Sequence, residues 1–177
     1  GFRMVRPIDA VRRRQDGLGR LDLVVSKFGV LTGTAINPGE ITIYEQGASL
    51  SEWTPKTVLS PTDGVYWPNH AEPDDIDGDG DFDLTVGLGF LTCGVLGRLN
   101  AQGAMLPPQH CGGIAWFEQT PSGWVRHDVI EPTSELFFHR ITLADIDRDG
   151  IKDLLTVGEK RVIDGATGLL IDQAETQ

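Results

Sequence analysis

Two stretches of this chain gather carboxylates at one spacing: DDIDGDGDFD, from Asp74 to Asp83, and ADIDRDGIKD, from Ala144 to Asp153. Like charges roughly 4 Å apart cost about 4 kcal/mol per pair at an effective dielectric near 20, so a folded turn that collects several of them calls for a cation. In the first stretch Asp75, Asp77, Asp79 and Asp83 stand at positions one, three, five and nine, Asp81 at position seven can offer its backbone carbonyl, and Gly80 at position six permits a sharp turn. The second stretch repeats every element with Asp145, Asp147, Asp149, Gly150, the carbonyl of Ile151, and Asp153. Hard oxygen donors in that number suit Ca²⁺, which accepts roughly six to eight oxygens at about 2.3–2.6 Å, better than Mg²⁺, which demands a tighter octahedron. Two Ca²⁺ ions are therefore expected, one in each loop. A merely solvated acidic turn offers no reason to keep the same spacing twice.

The residues that follow these loops set the type of element that must position them. An EF-hand loop needs a bidentate acid at position twelve and a helix after it, but Val86 and Thr156 occupy that position, and the continuations LTVG and LLTVG are β-branched and apolar. Both loops are expected to lead into strands.

The whole surrounding segment is repeated, at an offset of 70 residues from Asp75 to Asp145. Upstream of the loops, Trp124 answers Trp53, Phe137 answers Trp67, and His139 answers Asn69. A weaker copy over residues 14–22 aligns Asp16, Gly19 and Asp22 with Asp77, Gly80 and Asp83; Arg14 and Leu18 replace acids there, so no metal is assigned to it. Within the units, LDLVVS, EITIYE, DLTVGL, GIAWFE, WVRHDVI and DLLTVGE are short, rich in Val, Ile, Thr and aromatics, and bounded by Gly, Pro, Ser or Asn. RVIDGATGLLID sets two apolar runs around a turn sequence and reads as a hairpin. No stretch carries a convincing helical period, so the fold is expected to be all-β, with units that fit four-stranded β-propeller blades. The recurring Trp53, Trp67, Trp116 and Trp124 read as blade-packing residues.

DIDGDGDFDLTVG, DIDRDGIKDLLTVG and the intervening GGIAWFEQTPSGWVRHDVI together resemble the FG-GAP and VCBS-type repeats, related to the calcium-bearing blades of integrin α-subunit propellers. The resemblance spans most of residues 1–177, leaving out the insertion at residues 93–111 and the last ten residues. It implies Ca²⁺ held between strands of a blade by Asp75, Asp77, Asp79, Asp81 and Asp83, and by Asp145, Asp147, Asp149, Ile151 and Asp153. It also implies a propeller commonly of seven blades, of which this length supplies about three in an open arc, with the remainder coming from elsewhere in a longer protein or from other chains. By the same resemblance the expected role is a noncatalytic, calcium-binding module at an extracellular, periplasmic or cell-surface location, acting in protein or carbohydrate recognition or as a scaffold. The alternative is the propeller portion of a polysaccharide lyase or sugar dehydratase.

Composition bounds the rest. A net charge of -11 and a pI near 4.6 disfavour nucleic acid as a partner, since nonspecific binding there depends on phosphate attraction. Gly, Pro or charge interrupts every apolar run short of a bilayer span, so no membrane-spanning segment is expected. The first residues, GFRMVRPIDA, lack the regions of a secretion signal, and secretion is not legible there. The basic run VRRRQ is read as a solvated or inter-strand edge, with a docking surface as the rival reading. Cys93 and Cys111 bracket a Gly- and Pro-rich insertion; the pair reads as a disulfide, as two free thiols, or, with His110, as a metal site. No catalytic motif is recognisable, and His70, His110, His127 and His139 are scattered, with His139 best read as an inter-blade or metal-supporting hydrogen-bonding residue and His127 as a surface one.

Overall fold

The computed structural model describes residues 5–12, 21–32, 35–89, 112–132, 136–163 and 170–176. Eleven strands are seen among them: β1 (Val5–Arg12), β2 (Leu21–Thr32), β3 (Ala35–Gln46), β4 (Trp53–Leu59), β5 (Pro68–Asp74), β6 (Asp83–Gly89), β7 (Gly112–Thr120), β8 (Gly123–Ile130), β9 (Leu136–Ala144), β10 (Asp153–Ile163) and β11 (Leu170–Thr176). A single 3₁₀ turn, Pro61–Asp63, joins β4 to β5; Ser60 and Asp63 form a capping box around it, and Gly64, at φ 76°, ends it.

The strands form three antiparallel sheets in simple up-and-down order: β1-β2-β3-β4, β5-β6-β7-β8 and β9-β10-β11. The all-β expectation holds. Among the described residues the third sheet has three strands rather than four, and the three sheets do not close on themselves. The Cys93–Cys111 insertion, residues 14–20 of the weak copy, most of the basic run VRRRQ, and the turn within RVIDGATGLLID lie outside the described residues.

Two polar strands escaped the sequence reading for a physical reason. β4 (WTPKTVL) and β5 (PNHAEPD) contain prolines, which central strands exclude because they cannot donate to the ladder. Both strands lie at the edge of their sheets, where one side of the backbone needs no partner.

The sheets stack through one repeated relation, with β5 packed on β2 and β9 packed on β6. Between the first and second sheets lies the main core, in which Val24, Ile41 and Leu59 meet Ala71, Leu84, Val86, Leu88, Ala115 and Phe117. A smaller core, Ile114 with Phe138 and Ile141, joins the second sheet to the third. Fully burying each such side chain contributes roughly 1.5–3 kcal/mol, so these seams, rather than any one sheet, hold the array together. Gly87 marks how close the second seam is: a Cβ there would stand 3.0 Å from the Phe138 carbonyl oxygen. Trp67 is buried and lies against Phe28 with ring centroids 5.6 Å apart, joining the first sheet to the chain entering the second.

Candidate metal centres

Both complete acidic loops occupy the same place in their sheets. Asp74 pairs with Asp83 to close residues 75–82 between β5 and β6, and Ala144 pairs with Asp153 to close residues 145–152 between β9 and β10. β1 and β2 bracket residues 13–20 at the corresponding place in the first sheet.

Within the loops the backbone organises the acids. Asp75 Oδ1 accepts the Gly78 N–H at 2.8 Å, Asp77 Oδ1 that of Asp79 at 3.1 Å, and Asp79 Oδ1 that of Asp81 at 3.0 Å. In the second loop Asp145 Oδ1 and Asp147 Oδ1 each accept from Asp149 N–H at 3.1 Å, Asp145 Oδ2 accepts from Gly150 at 3.0 Å, and Asp149 Oδ1 accepts from Ile151 at 2.7 Å. Gly80 and Gly150 take φ 98° and 91°, the left-handed region glycine enters without strain. The second loop also places a non-glycine there: Arg148, at φ 66°, stands where the first loop has Gly78 at 82°.

The result is two triads, Asp75, Asp77 and Asp79, and Asp145, Asp147 and Asp149, each offering carboxylate oxygens within 4.8 Å of one another. None of the ion pairs described among these residues reaches a triad carboxylate. Lys152, at the end of the second loop, instead pairs with Asp74 at the start of the first, so the two loops are neighbours. Three oxygen ligands so close, without nitrogen or sulfur donors, make either triad able to hold a hard metal ion.

Comparison of the chain with known protein families, curated proteins and solved structures returns no match. The site must speak through its own chemistry.

The remaining expected ligands are placed differently from the triads. Asp83, at the start of β6, is 1% exposed, and both its oxygens accept backbone N–H groups, from Ile76 at 3.1 Å and from Gln119 on β7 at 2.9 Å. Burial, with the charges of Asp77 and Asp81, pushes its carboxyl up from the ordinary value against the pull of those two donors. Asp153 repeats the first of these bonds, accepting from Ile146 N–H at 2.9 Å. β11 runs alongside β10 only from Glu159 onward, and no second backbone donor to Asp153 is seen among the described residues. The Asp81 and Ile151 side chains stand outside the triads, and Ile151 is 70% exposed.

Asp22 shows what the weak first copy has kept. It is buried and accepts the Gln46 N–H at 3.2 Å, the same contact that Asp83 makes with Gln119. The ladders agree, since Leu23 pairs with Tyr44 as Leu84 pairs with Phe117. At Asp22 and Asp83 the acid thus ties the start of the second strand to the third strand of its sheet, and Asp22 does so without the full set of loop acids.

The histidines divide by element. His139 bonds Glu159 at 2.9 Å, across to the neighbouring strand of its own sheet, rather than between sheets. His127 is half-exposed, stacks on Trp116 at 4.3 Å and bonds Glu118 at 2.8 Å. His70, to which sequence reading gave no role, is fully buried, and its Nδ1 accepts the Ile141 N–H at 3.3 Å, joining the second sheet to the third. Its partner lies 71 residues away in sequence, so no local signal announces it.

Proposed function

We propose that this chain is a run of calcium-binding β-propeller blades of the FG-GAP/VCBS type, serving as a noncatalytic recognition or scaffold module outside the cytoplasm. The observation that carries this reading is the recurrence of one preorganised acidic triad between the first and second strands of two successive antiparallel sheets. All-carboxylate donors favour Ca²⁺ over the softer transition metals, and millimolar extracellular calcium would fill even a weak site.

The blade reading is supported by how the sheets end. Thr85 and Gly87 of β6 are buried beneath the third sheet, as Val24 and Ser26 of β2 are beneath the second. Their counterparts on β10, Leu155 and Val157, are 41% and 52% exposed. An apolar face of this kind fits a further sheet stacked by the same relation, in a ring completed by a longer protein or by neighbouring chains. Ca²⁺ in this reading ties each first-to-second strand loop in place and makes the array rigid.

The test is calorimetric unfolding with EDTA and with excess Ca²⁺, beside direct titration of the metal. A ligand at a hundredfold its Kd adds about 2.7 kcal/mol per site. In a chain of this size that raises the melting temperature by roughly 5–11 °C per site. Identical melting in EDTA and Ca²⁺, with no binding heat, refutes the calcium reading.

A further inference from the structure

Lys152 closes the second acidic loop, and its ammonium reaches across the seam between the second and third sheets to pair with Asp74 Oδ2. Asp74 stands at the start of the first loop, where its other oxygen, Oδ1, accepts the Asp75 N–H at 2.9 Å and its backbone pairs with Asp83. One carboxylate is thus held from two sides, by the last residue of one loop and by the first triad residue of the other.

The metal loop itself does not ask for a lysine at this place. The first loop carries Phe82 at the same position, eighth from its leading aspartate. The second loop holds Asp145, Asp147, Asp149 and Asp153 of its own, yet the described ion pair of Lys152 is with an acid of the neighbouring loop. The pair can form only while both loops keep the shape seen here. Gathering Asp145, Asp147 and Asp149 around an ion would fix the backbone that carries Lys152, and gathering Asp75, Asp77 and Asp79 would do the same for Asp74. Ordering either loop therefore lowers the entropy still to be lost in ordering the other. Two bound cations also repel, but that effect is screened by salt and does not pass through Lys152.

We infer that the Lys152–Asp74 pair couples the two loops, so that filling either one raises the affinity of the other for Ca²⁺. The Lys152 side chain is 52% exposed, which ranks the pair with surface ion pairs and sets its share of the coupling at a factor of about 1.4–5. The inference rests on the calcium reading of the loops and adds to it a link between successive sheets.

The experiment is calorimetric titration of the whole chain with Ca²⁺ at about 0.15 M salt. Asp147→Ala isolates the first loop and Asp77→Ala the second. The product of the two stepwise binding constants of the unmodified chain, divided by the product of the two isolated constants, is the coupling factor, and it should exceed one. Lys152→Gln, with all three titrations repeated in that background, should lower the factor by about 1.4- to fivefold. Asp74→Asn should lower it equally, and the double variant no further. Because the factor is a ratio, the direct effect of either charge on a single loop drops out. A factor of one or less in the unmodified chain, or a factor that Lys152→Gln leaves unchanged or raises, overturns the coupling and leaves calcium binding standing. A chain that shows neither binding heat nor a shift in melting with Ca²⁺ refutes the calcium reading and the coupling together.

Discussion

Replacing Asp83 by Ala in the presence of EDTA separates the structural duty of the ninth loop residue from any duty toward a metal. The carboxylate is 1% exposed and accepts two backbone N–H groups, at 3.1 Å from Ile76 and 2.9 Å from Gln119. An orphaned buried donor costs about 1–3 kcal/mol; Ile76 is 39% exposed, so water can take its N–H, and most of the cost falls on the Gln119 N–H. Removing a carboxylate whose own burial is unfavourable, and which Asp77 and Asp81 repel, returns part of that cost. The expected net loss is about 1–2 kcal/mol. Asp22→Ala, at a buried site where the bond to Gln46 is longer at 3.2 Å, should cost less. Asp153→Ala should cost about 1 kcal/mol or less, because its bond to the exposed Ile146 N–H at 2.9 Å can be replaced by water. Urea unfolding followed by tryptophan fluorescence gives all three values, provided the slope with denaturant stays constant across the set. A loss at Asp83 under about 0.5 kcal/mol, or smaller than the loss at Asp153, would show that the carboxylate is not the backbone tie described above.

Gly80→Ala and Gly150→Ala should each destabilise the protein by about 1–2 kcal/mol in the same urea assay. Nothing lies within 4 Å of the added Cβ at φ 98° or 91°, so the cost is the left-handed backbone alone. The Lys27–Glu40 pair, 2.6 Å apart, should appear in the pH dependence of stability. The hydrogen bond and charge of Lys27 hold the Glu40 carboxyl below its ordinary value of 4.5, so the pair's contribution is present above that pH and is lost as the pH falls through the lower folded value. Glu40→Gln should flatten the stability profile between about pH 5 and 3, at a cost below about 1 kcal/mol at pH 7 because both groups are about a third exposed; an unchanged profile refutes this.

The sequence alone determined the chemistry of the loops and the class of the fold. Asp-x-Asp-x-Asp-Gly is a local pattern, because each carboxylate finds its backbone N–H two to five residues on, and its recurrence at an offset of 70 residues placed both triads before any contact was known. Strands such as DLTVGL and GIAWFE were legible because apolar, β-branched residues crowd their buried ladders. The edge strands β4 and β5 were not, since an edge tolerates the proline and charge that conceal a strand. Only tertiary structure decided which acids do more than line a loop. Asp83 reaches Gln119 across 36 residues and His70 reaches Ile141 across 71, and both contacts exist only once whole strands have paired and whole sheets have stacked. A cleft between the first and second sheets, beside the first acidic loop, arises in the same way, and such a junction has no pattern in any one segment because its walls come from β2, β3 and β4 on one side and from residues 73–84 and 119–124 on the other.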